Sequence, residues 1–293
     1  MTALPQSPPR LASWDPRGAA PIAVAILAAA ILFALPATTL VRDWWNDSEA
    51  GHGLLLAPLA LWLAWRRGLS PARAANIPLG TAVLFAAIVL RYLSGLAAEL
   101  FTLRFSMILA AAGMTVFAWG LPQLRRWWLP FALLVLSIPL PALVTNALAL
   151  PLQFKASSMG AALLAWRDVP VKLSGNVILL PGRQLFVTEA CSGLRSLAAL
   201  VSLGVLVGGL WLRTPLARLL VLALTIPVAI LVNAIRVFLT GFLVYFVDPK
   251  LGEGFLHLTE GWLLFVVAFT VLGVVAWAGS RVEERLRGEP ADA

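Results

Sequence analysis

Apolar runs long enough to cross a bilayer recur along this chain, at roughly 19–41, 53–65, 78–98, 103–121, 127–150, 191–212, 218–247 and 258–280. A helix needs about 20 apolar residues, each rising 1.5 Å, to span the hydrocarbon core. Runs of this length and number predict an all-α polytopic integral membrane protein with about eight transmembrane helices. Composition agrees. The chain is 60% hydrophobic and 12% charged, whereas soluble domains carry about 25% charged residues. The second run is short and is interrupted by Pro58. The fifth contains SIPLPALVTN, where Pro139 and Pro141 remove backbone donors and bend or end the helix. The seventh is long enough to tilt or to project beyond the bilayer. One transmembrane domain is expected over 19–280. A disordered tail over 1–18 and a tail over 281–293, disordered from 288, are expected in the cytoplasm.

Charge orients the helices. Eight spans with both termini in the cytoplasm put Arg66, Arg67, Arg73, Arg125, Arg126, Arg213 and Arg218 in short cytoplasmic loops. Arg42, Arg104 and the cations of the long 151–190 segment then fall outside. This is the positive-inside pattern, and it accounts for the net charge of +8 without a nucleic-acid partner. The first run is too long for a cleavable signal peptide and lacks a small-residue cleavage site. The extracytoplasmic segment before the sixth span, 151–190, opens on the amphipathic stretch LQFKASSMGAALLAW, expected along the interface. VPVKLSGNVILLPGRQLFVTEA follows, alternating polar and apolar with turn signals at SGN and PGR, and predicts a small hairpin or extended pair. One cysteine excludes an intramolecular disulfide, and no Cys/His cluster has zinc-ligand spacing, so neither a metal nor a cofactor is expected.

That cysteine, Cys191, stands in EACSGLRS between Glu189 and Arg195. A free cysteine often packs as a small buried hydrophobe. Here it sits where the sixth span begins, with Thr188 as the candidate N-cap. A helix N-terminus lowers a thiol pKa through its dipole and its unpaired N–H groups. Arg195 lies four residues on, one turn deeper on the same face. A thiol at the water boundary beside a cation has thiolate character, which makes it a nucleophile. Arginines inside apolar runs are costly and usually face a bundle interior or a wet cavity. Arg236 is such a residue, unless it snorkels from a helix end. It lies about 27 Å beyond Arg218 along the seventh span, with Asn233 one turn before it. His257 opens the eighth span, with Glu260 at i+3 to orient it, or else it is an interfacial histidine bonded to a loop. His52 opens the second span, also outside. Arg91 reads as structural. The orientation places Cys191, Arg236 and His257 near one face, and a nucleophile, a fixed cation and a proton-transfer group are the parts of an acyl-transfer site. Two other classes fit a polytopic protein with buried arginines: a transporter or flippase for a lipid-linked sugar, and a non-catalytic assembly factor for surface polysaccharide.

EACSGLRSL, then NAIRV some forty residues on, then a histidine before the last span, resembles the exosortase/archaeosortase family. GHGLLLAPLALWLAWRR is similar to that family's early His-Gly segment and the helix after it. The resemblance runs from about 45 to 275. It implies a multi-pass protein of the bacterial cytoplasmic membrane that acts as a sortase-like thiol protease or transpeptidase at the extracytoplasmic face. Its partners would be membrane lipid, an acceptor nucleophile and the C-terminal tail helices of exported proteins, which carry a short motif such as Pro-Glu-Pro, one transmembrane helix and a basic tail. The family's cysteine maps to Cys191, its arginine to Arg236 and its histidine to His257. The sequence ends soon after its last span, so the extra C-terminal domain of some exopolysaccharide-linked relatives is not expected, and the subtype stays open.

Overall fold

The computed structural model describes residues 16–47, 50–186, 194–248 and 255–287. Nine helices are present among them: α1 (Pro16–Asn46), α2 (Gly53–Arg67), α3 (Ile77–Leu96), α4 (Leu100–Arg126), α5 (Trp128–Leu136), α6 (Ala142–Trp166), α7 (Leu194–Trp211), α8 (Pro215–Phe246) and α9 (Phe255–Arg287). Three strands separate α6 from α7: β1 (Lys172–Ser174), β2 (Val177–Leu180) and β3 (Arg183–Phe186). Six helices, α1, α3, α4, α6, α8 and α9, are long and apolar enough to cross a membrane. Of the others, α2 has 15 residues, α5 has 9 and α7 has 18. The chain is a multi-pass α-helical membrane protein.

The run over 127–150 does not form one helix. α5 stops at Leu136 and α6 starts at Ala142, with Pro141 as its N-cap. Pro139 and Pro141 cannot donate to the carbonyls of Val135 and Ser137. Each exposed carbonyl finds another donor. Ser137 N–H bonds Leu133 O, Ser137 Oγ bonds Leu134 O, and Ile138 N–H bonds Val135 O. His52 Nε2 donates to Leu136 O at 3.2 Å, and Trp44 Nε1 to Ser137 O at 2.7 Å. α2 is thereby held against α5 at this end. α6 then runs through the stretch expected along the interface. Gln153, Ala156, Ser157, Gly160, Ala161 and Leu164 are buried along one stripe at helical spacing. That stripe meets α8 through reciprocal glycines. A Cβ on Gly160 would come within 2.5 Å of Val237, and one on Gly241 within 2.7 Å of Leu164. Small residues at such points let helix backbones approach closely.

Other breaks are closed the same way. Pro36 leaves the carbonyl of Leu32 without its helical donor, and Arg91 Nε of α3 bonds that oxygen at 3.2 Å. α4 kinks at Gly120, whose φ is 78°, two residues before Pro122. The carbonyls this frees, Val116 O and Trp119 O, accept from Asn76 and Ala74 of the loop before α3. The buried side chain of Gln123 ties that loop down, accepting from Ser70 N–H and donating to Gly68 O. The strands form an antiparallel meander with two-residue turns at Gly175 (φ 64°) and Gly182 (φ 72°), with Ser174 opposite Val177 and Leu180 opposite Arg183. Sequence alternation predicts a pair of strands, and the second turn signal adds a third. Ile178 and Leu180 point from β2 into a cluster with Ala156, Leu164, Val237 and Val244, so the sheet seals the join of α6 and α8.

Arg104, counted with the outer loop cations from sequence, is 2% exposed inside α4 and bonds Asp43 Oδ2 of α1 at 2.6 Å. Beside it, Glu99 caps α4 by accepting from the N–H groups of Phe101 and Thr102 and from the Thr102 hydroxyl. Burial raises the Glu99 pKa, but these bonds and the Arg104 charge outweigh it and hold the carboxyl below its usual range.

Two outcomes follow from this corner. Asp43→Asn leaves a buried guanidinium without its counter-charge and should cost about 3 kcal/mol, read as a lower thermal unfolding midpoint in detergent. Asp43→Leu with Arg104→Met should recover most of it. A depressed carboxyl adds stability above its unfolded pKa and loses it as pH falls through the lower, folded value. Wild type should therefore lose a cap worth roughly 1 kcal/mol on acidification below the ordinary carboxylate range, while Glu99→Gln should lack this component at every pH. Parallel pH slopes for the two proteins would remove Glu99 from the account.

Candidate functional site

α8 is the centre of the C-terminal half. Thr214 caps it by accepting from Ala217 N–H, Pro215 sets its first turn, and it continues unbroken to Phe246. Asn233, Arg236 and Thr240 recur at i, i+3 and i+7 and share one face. Asn233 and Thr240 are buried, and Arg236 is half-buried with its Nε shielded from solvent. Each of the three has an interaction partner. Because the helix is continuous, Arg236 stands about 27 Å from Arg218 along its axis.

α8 packs against α6, α7 and α9, and α7 packs against α9. Gly204 of α7 faces Thr225 and Gly208 faces Arg218, so α7 and α8 run antiparallel in close register. Continued to the start of α7, that register brings Leu194 level with the turn 233–236. Leu200, Ala229, Ala268 and Leu272 form one buried cluster, and Val207, Val221 and Ala276 belong to another. The same antiparallel register of α8 and α9 sets the first turn of α9 level with Thr240. The start of α7, the Arg236 turn of α8 and the start of α9 thus share one end of a three-helix group. The sheet packs on this end through Val237 and Val244, and β3 ends at Phe186, just before the EACSG stretch.

The sequence candidates divide accordingly. Cys191, Glu189 and the candidate cap Thr188 lie outside the described residues. Arg195 lies in the first turn of α7 and His257 and Glu260 in the first two turns of α9, and their side chains are likewise outside the described set. Arg236 and Asn233 sit together on α8. His52 does not join them. Its ring serves the Leu136 carbonyl, and α2 packs against α5 and α1. Arg91 serves the Leu32 carbonyl. Sequence reading passed over Thr240, although its i+4 spacing from Arg236 was a usable signal, and it also missed the buried Arg104–Asp43 pair. Among the described residues no cluster of His, Cys, Asp and Glu is arranged to hold a metal.

A fixed cation on a buried polar face, near the mouths of two helices, can stabilise an anion that develops during a reaction. The model of one protein family, described as transmembrane exosortase, matches residues 44–274. No curated protein and no solved structure matches the chain significantly. The match takes in α2 through most of α9, including EACSGLRS, the Asn233–Arg236–Thr240 face and the first turn of α9, and by it the chain belongs to the transmembrane exosortase family, whose general role is that of a membrane-embedded sorting protease.

Proposed function

We propose that this protein is a cysteine protease or transpeptidase of the bacterial cytoplasmic membrane that cleaves C-terminal sorting signals of exported proteins at the extracytoplasmic face. The observation that supports this reading most is the half-buried Arg236 on the Asn233–Thr240 face of α8, at the same end as the first turn of α7, which follows the cysteine motif in sequence, and the first turn of α9, which contains His257. In the proposed reaction the tail helix of the substrate enters from the lipid and presents its motif, of the Pro-Glu-Pro kind, above the membrane.

The Cys191 thiolate attacks the scissile carbonyl, forming a C–S bond and placing negative charge on the carbonyl oxygen. Arg236 holds that oxyanion with charge-assisted hydrogen bonds, and Asn233 and Thr240 fix the polar face around it. His257, oriented by Glu260, takes the thiol proton and returns it to the departing amine nitrogen as the C–N bond breaks. The thioester then passes its acyl group to an acceptor amine, or to water, and the thiol is regenerated. Arg195 is a second anion-binding group in this scheme, and Glu189 takes no chemical step.

The test is co-expression of a tail-bearing substrate with wild type or a variant, with mass spectrometry of the new C-terminus. Cys191→Ala should leave the precursor uncut while the protein still accumulates in the membrane. Normal processing by that variant would end this reading, and is the result expected of a transporter or an assembly factor. Arg236→Ala should lower the cleavage rate about a hundredfold or more, the usual cost of one oxyanion donor. Arg236→Lys should recover only part of it, because a point charge replaces a planar fork.

A further inference from the structure

The opposite end of the bundle carries a different feature. Arg67 ends α2, Arg126 ends α4 and Arg218 lies in the first turn of α8. The first two are locked reciprocally, with Arg67 Nη1 on Arg126 O at 2.8 Å and Arg126 Nε on Arg67 O at 2.6 Å. Arg67 Nη2 also reaches Gly209 O in the last turn of α7 at 3.5 Å, and Arg218 Nε bonds Leu212 O just beyond it at 3.0 Å. The Arg218 guanidinium lies over the Trp128 ring, 4.8 Å from its centre. Arg67 is within electrostatic range of both other guanidiniums.

Three like charges from three helices therefore converge without a carboxylate among the described residues to neutralise them. The nearby acids are used elsewhere. Glu283 accepts from the Arg213 and Thr214 N–H groups of the α7–α8 turn, and Glu284 pairs with Arg281. Helix-end carbonyls engage Arg126 and Arg218 only through Nε, so the Nη groups of both remain for an oxyanion, and guanidinium forks match phosphate geometry. The surroundings distinguish a lipid from a free anion. Trp62, Trp65, Trp211, Leu216 and Leu219 project outward at this level. Exposed tryptophans with leucines mark the depth at which lipid headgroups meet the hydrocarbon.

We propose that Arg67, Arg126 and Arg218 form a binding site for the phosphate of an anionic membrane phospholipid, which clamps the ends of α2, α4 and α7 to the start of α8. Basic pockets between helices bind such headgroups, with roughly tenfold or less in affinity per arginine. The site is separate from the α7–α9 end and does not depend on the catalytic reading.

The full chain would be purified in detergent and exposed to phosphatidylglycerol or phosphatidylcholine, with retained lipid counted by native mass spectrometry and stability read by thermal unfolding. Wild type should retain phosphatidylglycerol selectively and unfold at higher temperature with it. Arg126→Gln with Arg218→Gln should lower retention on the order of tenfold or more. Arg285→Gln with Arg287→Gln removes the same charge from the end of α9 and should leave retention unchanged. Should the first pair fail to fold, Arg126→Lys with Arg218→Lys keeps the charge, and its retention should fall between wild type and none. Equal losses in the Arg126/Arg218 and Arg285/Arg287 variants, or no preference for phosphatidylglycerol, would overturn the proposal. So would inorganic phosphate that displaces the lipid and stabilises the protein equally, since the site would then be one for a soluble anion.

Discussion

A backbone carbonyl that loses its helical donor inside a membrane finds no water to replace it, and each such group costs several kcal/mol if left bare. This chain has 20 prolines, and several of its polar side chains meet the losses they cause. Arg91 caps the oxygen that Pro36 abandons. His52 and Trp44 cap the end of α5, where Pro139 and Pro141 stop the helix. The loop before α3 supplies two N–H groups to the kink at Gly120 and Pro122. Glu283 performs the converse task, accepting from free N–H groups at the start of α8. Tertiary contacts between helices are thus written at the points where secondary structure fails, and the short helices α2 and α5 are fixed by such contacts as well as by apolar packing around Leu56, Ala60, Leu63, Leu129 and Leu133.

This separates two kinds of intramembrane polar residue that look alike in sequence. Arg91 and Arg236 both interrupt apolar runs, and both are expensive there. Arg91 is explained by a proline fifty-five positions earlier on another helix, four residues past the carbonyl it serves. Arg236 stands on a helix whose internal proline, Pro227, is more than two turns away, so no proline of its own helix calls for a cation there. Its companions Asn233 and Thr240 make a continuous polar face instead. An arginine on such a face within an apolar run is a pointer to function.

The apolar runs made the membrane class and most helices legible, because length and hydropathy act locally. The split of 127–150 was half legible. Two prolines announced a break, but tertiary contacts from Trp44 and His52 hold the end of α5 near Leu136, and packing on α8 accompanies the continuation of α6 to Trp166. Turn chemistry at Gly175 and Gly182 announced the sheet, and the count of strands depended on packing against α6 and α8. Arg104 was misplaced because charge counting treats a cation near a helix end as solvated, whereas Asp43 of α1 draws this one inward. On the candidate site, helix order and antiparallel packing were enough to bring the starts of α7 and α9 to one end, and Arg236 was visible as a cation in an apolar run. His52, singled out as a histidine opening the second span, serves a backbone oxygen instead.

The packing around α8 bears on how such a cation could act. Val237, next to Arg236, is seated in the space left by Gly160, and Leu164 fills the space at Gly241 one turn on. The sheet closes over the same contact through Ile178 and Leu180. On the other sides α7 and α9 meet α8 through buried Leu200, Ala229, Ala268 and Leu272. Arg236 is therefore carried on a segment clamped by three helices and a sheet. A charge held in this way need not reorganise when an oxyanion forms beside it, and that saving, more than the charge itself, is what a preorganised site contributes to a transition state. In the proposed chemistry, enlarging Gly160 or Gly241 should slow cleavage by shifting Arg236 without touching any reacting group, so the glycines of α6 and α8 belong to that mechanism as much as the arginine they hold in place.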